Sequence, residues 1–299
     1  MKDTLNRILK WIGIVLGCAM ILIPIYIAVA FFGNPVSAIL AHNSSRRYLA
    51  ENFGDTDFQV VKSGYNFKTG DYYAFIESPT SQDSHFTVYF NGWGQYRYDT
   101  YESVTDRYTT LSRLDTQYRE LVDSALPEDG SPFDISIAFG ELKVAGIREV
   151  FSYTDANGDT KTYTIDKEYG IDRASLELDG QYDILALGRD AGCITLYIHD
   201  PEVTTKRTAE LLLDVKDYLD RQGIPFHAID FHLCEPRNEQ GQNVGKQISL
   251  FDFLYSDIYE EGLIDRVEQH WRIAQEHYAI QDGLKAETDI IHAEKQEIS

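Results

Sequence analysis

The sequence is poor in cysteine and in basic residues, and both shortages limit what the protein can be. Three cysteines in 299 residues are too few for a disulfide framework, and Cys18 lies inside an apolar run, so only Cys193 and Cys234 remain as a possible pair. Lys and Arg number 27 against 48 Asp and Glu, which gives a formal net charge of −21. A field of this sign repels phosphate backbones, so we expect no nucleic-acid partner.

Common catalytic motifs are missing as well. The chain contains no GxSxG nucleophile elbow, HExxH zinc signature, P-loop or dinucleotide fingerprint. We therefore expect no enzyme and no cofactor, and we assign no catalytic, cofactor-binding or metal-binding residue. The apolar fraction of 43%, with 20 Tyr and 15 Phe residues, predicts a folded chain with ample core.

One long run, residues 11–33, carries no charged side chain and reads WIGIVLGCAMILIPIYIAVAFFG. As a helix it extends about 34 Å, enough to cross a hydrocarbon core of about 30 Å. We predict a transmembrane helix that makes the membrane a partner, with Pro24 tolerated as a kink. Two alternatives stay open: Val15–Cys18 resembles a lipoprotein cleavage string, and Ala28–Ala30 resembles a signal-peptidase site.

The charges that flank this segment predict its orientation. Lys2, Arg7 and Lys10 against Asp3 give residues 1–33 a charge of +2, which leaves −23 for the rest of the chain. Because positive residues favour the cytoplasmic side, we expect residues 1–10 to be a cytoplasmic N-terminus. The prediction is a single-pass protein of the cell membrane, with its C-terminal region outside the cytoplasm.

The periodicities of residues 34–128 predict a module of one helix and antiparallel strands that ends in a long helix. The first helix covers 36–53, and its rough apolar stripe consists of Val36, Ile39, Leu40, Leu49 and Phe53. The predicted strands cover 58–61, 72–76 and 85–90. In the long helix, apolar residues recur at spacings of three, four and seven from Tyr101 to Ala125. Asp99 and Glu102 resemble a capping box at its start.

A second α+β domain is predicted for residues 129–281, after the Pro- and Gly-containing stretch 127–132. Asn157-Gly158 predicts a tight hairpin, and a helix over 204–222 between two strands predicts a β-α-β unit. The predicted strands cover 133–139, 150–154, 161–165, 194–199, 226–233 and 246–254. Residues 282–299 are predicted to be a polar tail.

Two groups of residues resemble metal ligands. Asp155 to Asp159 begin like a calcium loop, but Thr160 stands where that loop needs glycine, and turn chemistry alone explains such a hairpin tip. In the second group, Asp230, His232 and Cys234 alternate along one predicted strand and so share one face.

The neighbouring strand decides what could join that second group. If the two strands of the β-α-β unit are parallel neighbours, His199 lies near His232 and Cys234. Cys193 then lies at the opposite end, too far from Cys234 for a disulfide. The simpler interpretation is a polar sheet face opposite a buried one formed by Ile229, Phe231 and Leu233.

The loop Asn91–Tyr98 contains Trp93, Tyr96 and two glycines. Exposed aromatic side chains in such a loop stack on sugars or seat a partner's side chain. The alternative is that they fold back over the sheet edge.

Several local strings together resemble a known family. They are Phe31–Pro35 at the membrane exit, Gly64–Lys68 before Gly70, Ser78–Ser81 with Asp83 and Phe86, and Tyr98-Asp99 with Tyr101 and Val104. The sequence resembles the YfjL-like family, membrane-anchored proteins of Gram-positive bacteria whose function is not established. The resemblance is best over the first 130 residues. It implies an N-terminal anchor followed by two small α+β modules, and it brings no catalytic residues.

The whole sequence predicts a membrane-anchored, extracytoplasmic interaction or binding module without catalytic activity. Its expected partner is a protein, a peptide or a cell-wall component. Two alternatives remain: a regulatory subunit that acts through its membrane helix, and an extracytoplasmic hydrolase whose carboxylates converge only in the fold.

Overall fold

The computed structural model describes residues 2–127, 130–146, 148–154, 160–166, 169–238, 241 and 245–272. Its contacts divide the chain into two compact units. The first contains Met1–Thr110 with Glu177–Asp179, and the second contains Leu111–Leu176 with Gly180–Ser299. Both units combine helices with a four-stranded sheet, so the predicted α+β class is confirmed.

The first unit begins with two consecutive helices. Helix α1, Lys2–Phe32, contains Pro24, and from Lys10 on it is long and apolar enough to cross a membrane, with none of its most apolar stretch buried in protein. The chain turns at Gly33, whose φ is +77°. Helix α2, Pro35–Asn52, follows, and the Asn34 side chain accepts a hydrogen bond from the Val36 N–H at 2.9 Å. An Asn cap with proline in the first turn is a favoured helix start.

The buried face of α2 shares only Leu49 with the predicted apolar stripe. The buried residues are small at three of four positions, Ser37, Ala41, Ser45 and Leu49. Val36 and Ile39 are instead 64% and 62% exposed. Small side chains at every fourth position let the helix backbone approach the sheet closely, and this contact turns the larger apolar side chains outward.

The sheet of the first unit is antiparallel, with strand order β1-β2-β3-β4. The strands are β1, Gln59–Asn66; β2, Asp71–Ser78; β3, Ser81–Phe90; and β4, Tyr96–Asp99. The predicted alternation is confirmed in β3, where Phe86, Val88 and Phe90 are buried. Together with Ile76 of β2, they form the centre of this unit's core.

The predicted long helix from Tyr101 is wrong in one respect, because the chain breaks it. The structure has α3, Glu102–Thr105, and α4, Tyr108–Ala125, with Arg107 between them at φ +61°. Asp99 makes no capping box, because its Oδ1 accepts from the Tyr101 N–H at 2.9 Å and its Oδ2 accepts from two tyrosine hydroxyls. The apolar residues of α4 from Leu111 on belong to the core of the second unit.

The second unit contains a sheet with strand order β10-β9-β8-β5. Its elements are β5, Ile135–Leu142; β6, Arg148–Thr154; β7, Thr160–Asp166; α5, Ile184–Ala191; β8, Gly192–His199; α6, Thr205–Gln222; β9, Ala228–Cys234; β10, Gln247–Leu254; and helical residues 263–272. Strands β8 and β9 are parallel, so the predicted β-α-β unit is confirmed. The strands of the predicted hairpin pair antiparallel as β6 and β7, and its turn Asn157-Gly158 lies outside the described residues.

One face of this sheet forms the larger core. Ile194, Leu196, Ile229 and Phe231 are fully buried there, in one cluster with residues of α4 and α6. Strand β5 departs from the predicted strict alternation, since a register shift between Ile135 and Ile137 leaves Ile137 largely exposed. A bulge of this kind moves the following side chains to the other face.

Tyr118 of α4 is held at the centre of this core. Its ring is fully buried, and its hydroxyl donates to the Pro225 carbonyl at 2.9 Å. A Cβ added at Gly140, Gly188 or Gly192 would lie 2.9, 2.6 or 2.5 Å, respectively, from the nearest Tyr118 atom. The three glycines therefore provide the space that the tyrosine fills.

Candidate functional site

A groove of about 420 Å³ opens in the first unit, between α2 and the loop that joins β3 to β4. The aromatic loop singled out in the sequence forms one wall, and α2 forms the other. The lining side chains include Leu40, Asn43, Arg47, Tyr48, Glu51, Trp93, Gln95 and Tyr96. The exposed alternative holds for Trp93, which is 80% exposed.

The loop is held in one conformation by Asn91. Its side-chain oxygen accepts from the N–H groups of Trp93 and Gln95 at 2.9 and 3.0 Å, and its amide donates to the Gln95 side chain at 2.8 Å. Gly94 has φ +73°, and a Cβ there would lie 2.9 Å from Ser44 Oγ and 3.1 Å from the Leu40 carbonyl. The loop therefore packs directly against α2, and the wall of the groove is preformed.

Two stacked tyrosines form the floor beside this loop. The rings of Tyr48 and Tyr96 lie 5.2 Å apart and nearly parallel, and both hydroxyls donate to Asp99 Oδ2, at 2.6 and 2.8 Å. Burial, followed by the Asp99 carboxylate, raises the pKa of both phenols. Both therefore stay neutral at ordinary pH and present a fixed aromatic face.

The open side of the groove is polar. Asn43, Arg47 and Glu51 are exposed on successive turns of α2, and the Arg47 guanidinium lies 3.9 Å from Glu51. An exposed pair at this distance is weak, so both groups stay available to a ligand. Aromatic faces with a few convergent polar groups are characteristic of ligand sites.

The same unit holds the end of α1 in place. The Asn34 N–H donates to the Tyr72 hydroxyl at 2.5 Å, and the Tyr65 hydroxyl donates to the Ala30 carbonyl at 3.3 Å. A Cβ at Gly33 would lie 2.7 Å from the Tyr65 ring. The glycine thus allows the turn between the helices to press against the β1–β2 hairpin.

A second cluster of chemically interesting side chains lies in the second unit. Ligand-type atoms of Glu141, Cys193 and Asp230 lie within 4.8 Å of one another. The Lys143 ammonium forms an ion pair with Glu141 and lies 3.9 Å from Asp230. Close by, the Asp252 N–H donates to Asp230 at 2.7 Å. The sequence periodicity did not predict this cluster, because the residues come from different strands and only the pairing of β5 with β8 brings them together.

The chemistry of this cluster is that of two carboxylates whose charge is partly balanced by one ammonium. Burial, followed by the Asp230 carboxylate, raises the pKa of the Cys193 thiol, so no thiolate nucleophile is available. Burial opposes the charged form of Lys143, but the carboxylates of Glu141 and Asp230 outweigh it and raise the pKa of this ammonium. A cation already sits between the carboxylates, which argues against a metal at this place.

The polar sheet face predicted from Asp230, His232 and Cys234 is brought together only in part. His199 pairs with Cys234 across β8 and β9, as expected for parallel strands, while Cys193 pairs with Ala228 at the other end, and both cysteines are free. His232 stacks on Tyr197 at 4.0 Å, and burial lowers its pKa to about 4. Among the described residues, Asp230 groups with Glu141 and Cys193 instead of His232.

Two further candidate ligand features of the sequence are the calcium-like string and His199. The calcium-like string Asp155–Asp159 lies outside the described residues. His199 is buried, its Nδ1 lies 2.9 Å from the Glu235 carbonyl, and its Nε2 has no hydrogen-bond partner among the described groups.

The fold defines the class of protein. It has two α+β units, and the chain begins with one long apolar helix that is a candidate membrane span. The profile described as "YfjL-like, N-terminal domain" matches residues 8–100, and the profile described as "YfjL-like C-terminal domain" matches residues 117–268. The chain belongs to the YfjL-like family. No curated protein and no solved structure matches the chain significantly.

Substitution of Gly94 tests whether the groove wall is preformed. We expect Gly94→Ala to lower the free energy of unfolding by about 1–3 kcal/mol, because alanine is strained at this positive φ and its Cβ meets α2. Urea unfolding followed by Trp fluorescence measures the change. Gly92→Ala is the matched control, since its nearest new contact would be an ordinary 3.6 Å. Equal effects of the two substitutions would contradict the close contact of the loop with α2.

Substitution of Lys143 tests the charge group of the second unit. We expect Lys143→Met to lower the free energy of unfolding by about 1–3 kcal/mol, because it leaves Glu141 and Asp230 close together without a cation. Lys206→Met serves as control, since Lys206 is exposed and lies 3.9 Å from Glu210. A loss near zero for Lys143→Met would show that the carboxylates need no counter-ion.

Proposed function

We propose that this YfjL-like protein is a membrane-anchored binding protein that captures an uncharged glycan segment in the groove of its first unit, outside the cytoplasm. The observation that carries the proposal is the preformed groove, with the stacked faces of Tyr48 and Tyr96 beside the polar groups of Asn43 and Arg47. Its membrane anchor is α1, the candidate span.

The shape and chemistry of the groove favour a sugar. The aromatic faces are fixed before any ligand arrives, so stacking on the apolar face of a pyranose orders no further side chain. Amide, guanidinium and carboxylate groups at the rim match the donors and acceptors of sugar hydroxyls. The excess of acidic residues disfavours polyanionic ligands, which leaves uncharged glycans as the better match.

Binding without catalysis is supported by the state of the reactive groups. The Cys193 thiol has a raised pKa, and Lys143 is paired with the carboxylates of Glu141 and Asp230. Among the described residues that line the groove, Glu51, next to Arg47, is the one carboxylate. A glycosidase needs two carboxyl groups across the scissile bond, so the groove residues suit binding of a glycan better than its cleavage.

Protease accessibility on intact cells without their wall tests the orientation. We expect added protease to digest the region after residue 33 while an N-terminal epitope tag before Lys2 stays protected, because Lys2, Arg7 and Lys10 favour the cytoplasmic side. Detergent-permeabilised cells provide the control in which both parts are digested. Protection of the C-terminal region until the membrane is opened would contradict the extracytoplasmic location.

Titration of the full chain in detergent with soluble N-acetylglucosamine oligomers tests the ligand class. We expect saturable quenching of Trp93, and at least a tenfold weaker apparent affinity for Tyr96→Ala, since one lost stacking face costs about 1.4 kcal/mol or more. Tyr259→Ala, at an exposed tyrosine of the second unit, is the matched control. Equal affinity of both variants, or no binding by the unmodified chain, would contradict the glycan assignment.

A further inference from the structure

We propose that an apolar collar around the end of α1 contacts the lipid interface, so that the first unit rests on the bilayer surface. The collar consists of six side chains that are exposed to solvent in the structure, Phe32, Val36, Ile39, Leu40, Phe67 and Trp93. The inference rests on the proposed membrane anchoring by α1 and adds a second contact between protein and lipid.

The collar continues the membrane segment without a charged residue. From Trp11 to Ser45 the sequence contains no Asp, Glu, Lys or Arg, so the uncharged stretch extends beyond α1 into the first turns of α2. Phe32 is 83% exposed and Ile39 is 62% exposed. Large apolar side chains that are exposed together mark an interaction surface. Because it adjoins the span, its nearest partner is the bilayer itself.

The collar residues come from separate parts of the chain that the first unit holds together. Phe67, at the turn between β1 and β2, packs on Phe31 with ring centroids 6.0 Å apart. The close approach of Gly94 to Leu40 places the loop that carries Trp93 beside α2. The collar is therefore formed by several elements of the first unit and not by one helix alone.

Positive charges begin where the collar ends. Arg46 and Arg47 are exposed on α2, about 10 Å beyond Ile39 along the helix, and Lys68 follows Phe67 directly. Amphipathic surfaces enter the boundary between headgroups and acyl chains by about 5–10 Å, with basic groups toward the lipid phosphates. Tryptophan is also enriched at this level. The order of apolar, aromatic and basic side chains thus matches the layers of a bilayer surface.

The contact gives the proposed ligand a location. Leu40 and Trp93 belong to both the collar and the groove, whereas Tyr96 and Arg47 lie on the side of the groove beyond the apolar residues. The groove then opens directly above the headgroups, and its ligand is a glycan presented at the membrane surface.

An environment-sensitive fluorophore on α2 tests the collar. The full chain carrying Cys18→Ser and Ile39→Cys is labelled and reconstituted in vesicles of equal parts phosphatidylethanolamine and phosphatidylglycerol. Cys193 and Cys234 are buried and remain unlabelled. We expect the label at position 39 to emit at shorter wavelength, several-fold more brightly, and to be quenched by lipids brominated in the upper acyl chain.

Ala50→Cys is the matched control, because position 50 is exposed on the same helix about 16 Å further on. Its label is expected to behave as in water. Flotation of the vesicles after an alkaline wash reports the anchor separately. If the protein floats but both labels behave as in water, the collar is overturned and the anchor stands. If the protein is washed off the vesicles, the membrane anchoring is overturned and the collar with it.

Discussion

The hydrogen bond between the Asn34 N–H and the Tyr72 hydroxyl is the contact on which the first unit's geometry depends. It fixes the turn between α1 and α2 against strand β2, and Tyr65 adds a second contact to the last turn of α1. From this point α2 runs over the sheet on its small-residue face, Ser37, Ala41 and Ser45. The outward face of α2 is then determined, and with it the lining of the groove.

Rigidity in the groove comes from polar side chains that serve the protein's own backbone. Asn91 holds the loop, and Asp99 holds two phenols in a stack. Fixed aromatic faces lose little side-chain freedom on binding, which favours selective capture by a small surface. The second unit shows the opposite use of polar groups, since Lys143 is held between two carboxylates that it pairs with.

Local periodicity predicted most elements of the fold. Alternation predicted β3, and the stripe of α6 with Thr204 and Gly223 at its ends matches a capped helix whose αL glycine has φ +72°. Periodicity could not show the break at Arg107, because the apolar spacing continues on both sides of it while the two halves pack in different units. It also missed that Val36, Ile39 and Leu40 of the α2 stripe face outward, since only the packed structure reveals that small residues make the close contact.

The sequence predicted which loop contributes to the candidate site, but it did not predict which residues of other elements line the groove. The aromatic and glycine content of Asn91–Tyr98 indicated a binding loop, yet Tyr48, Arg47 and Glu51 join it from α2 through tertiary packing. Likewise, Asp230 was expected beside His232, and the neighbouring strands bring it to Glu141 and Cys193.

The short turn at Gly33 and Asn34 has a mechanical consequence. Both sides of the turn are hydrogen-bonded to the same sheet, so the orientation of α1 is coupled to the orientation of the groove. Under the proposed anchoring, a neighbouring helix in the bilayer that changed the tilt of α1 would reorient the groove. By reciprocity, a ligand that bound one groove orientation more tightly would favour that neighbour, so the proposed capture and such an assembly would be thermodynamically linked.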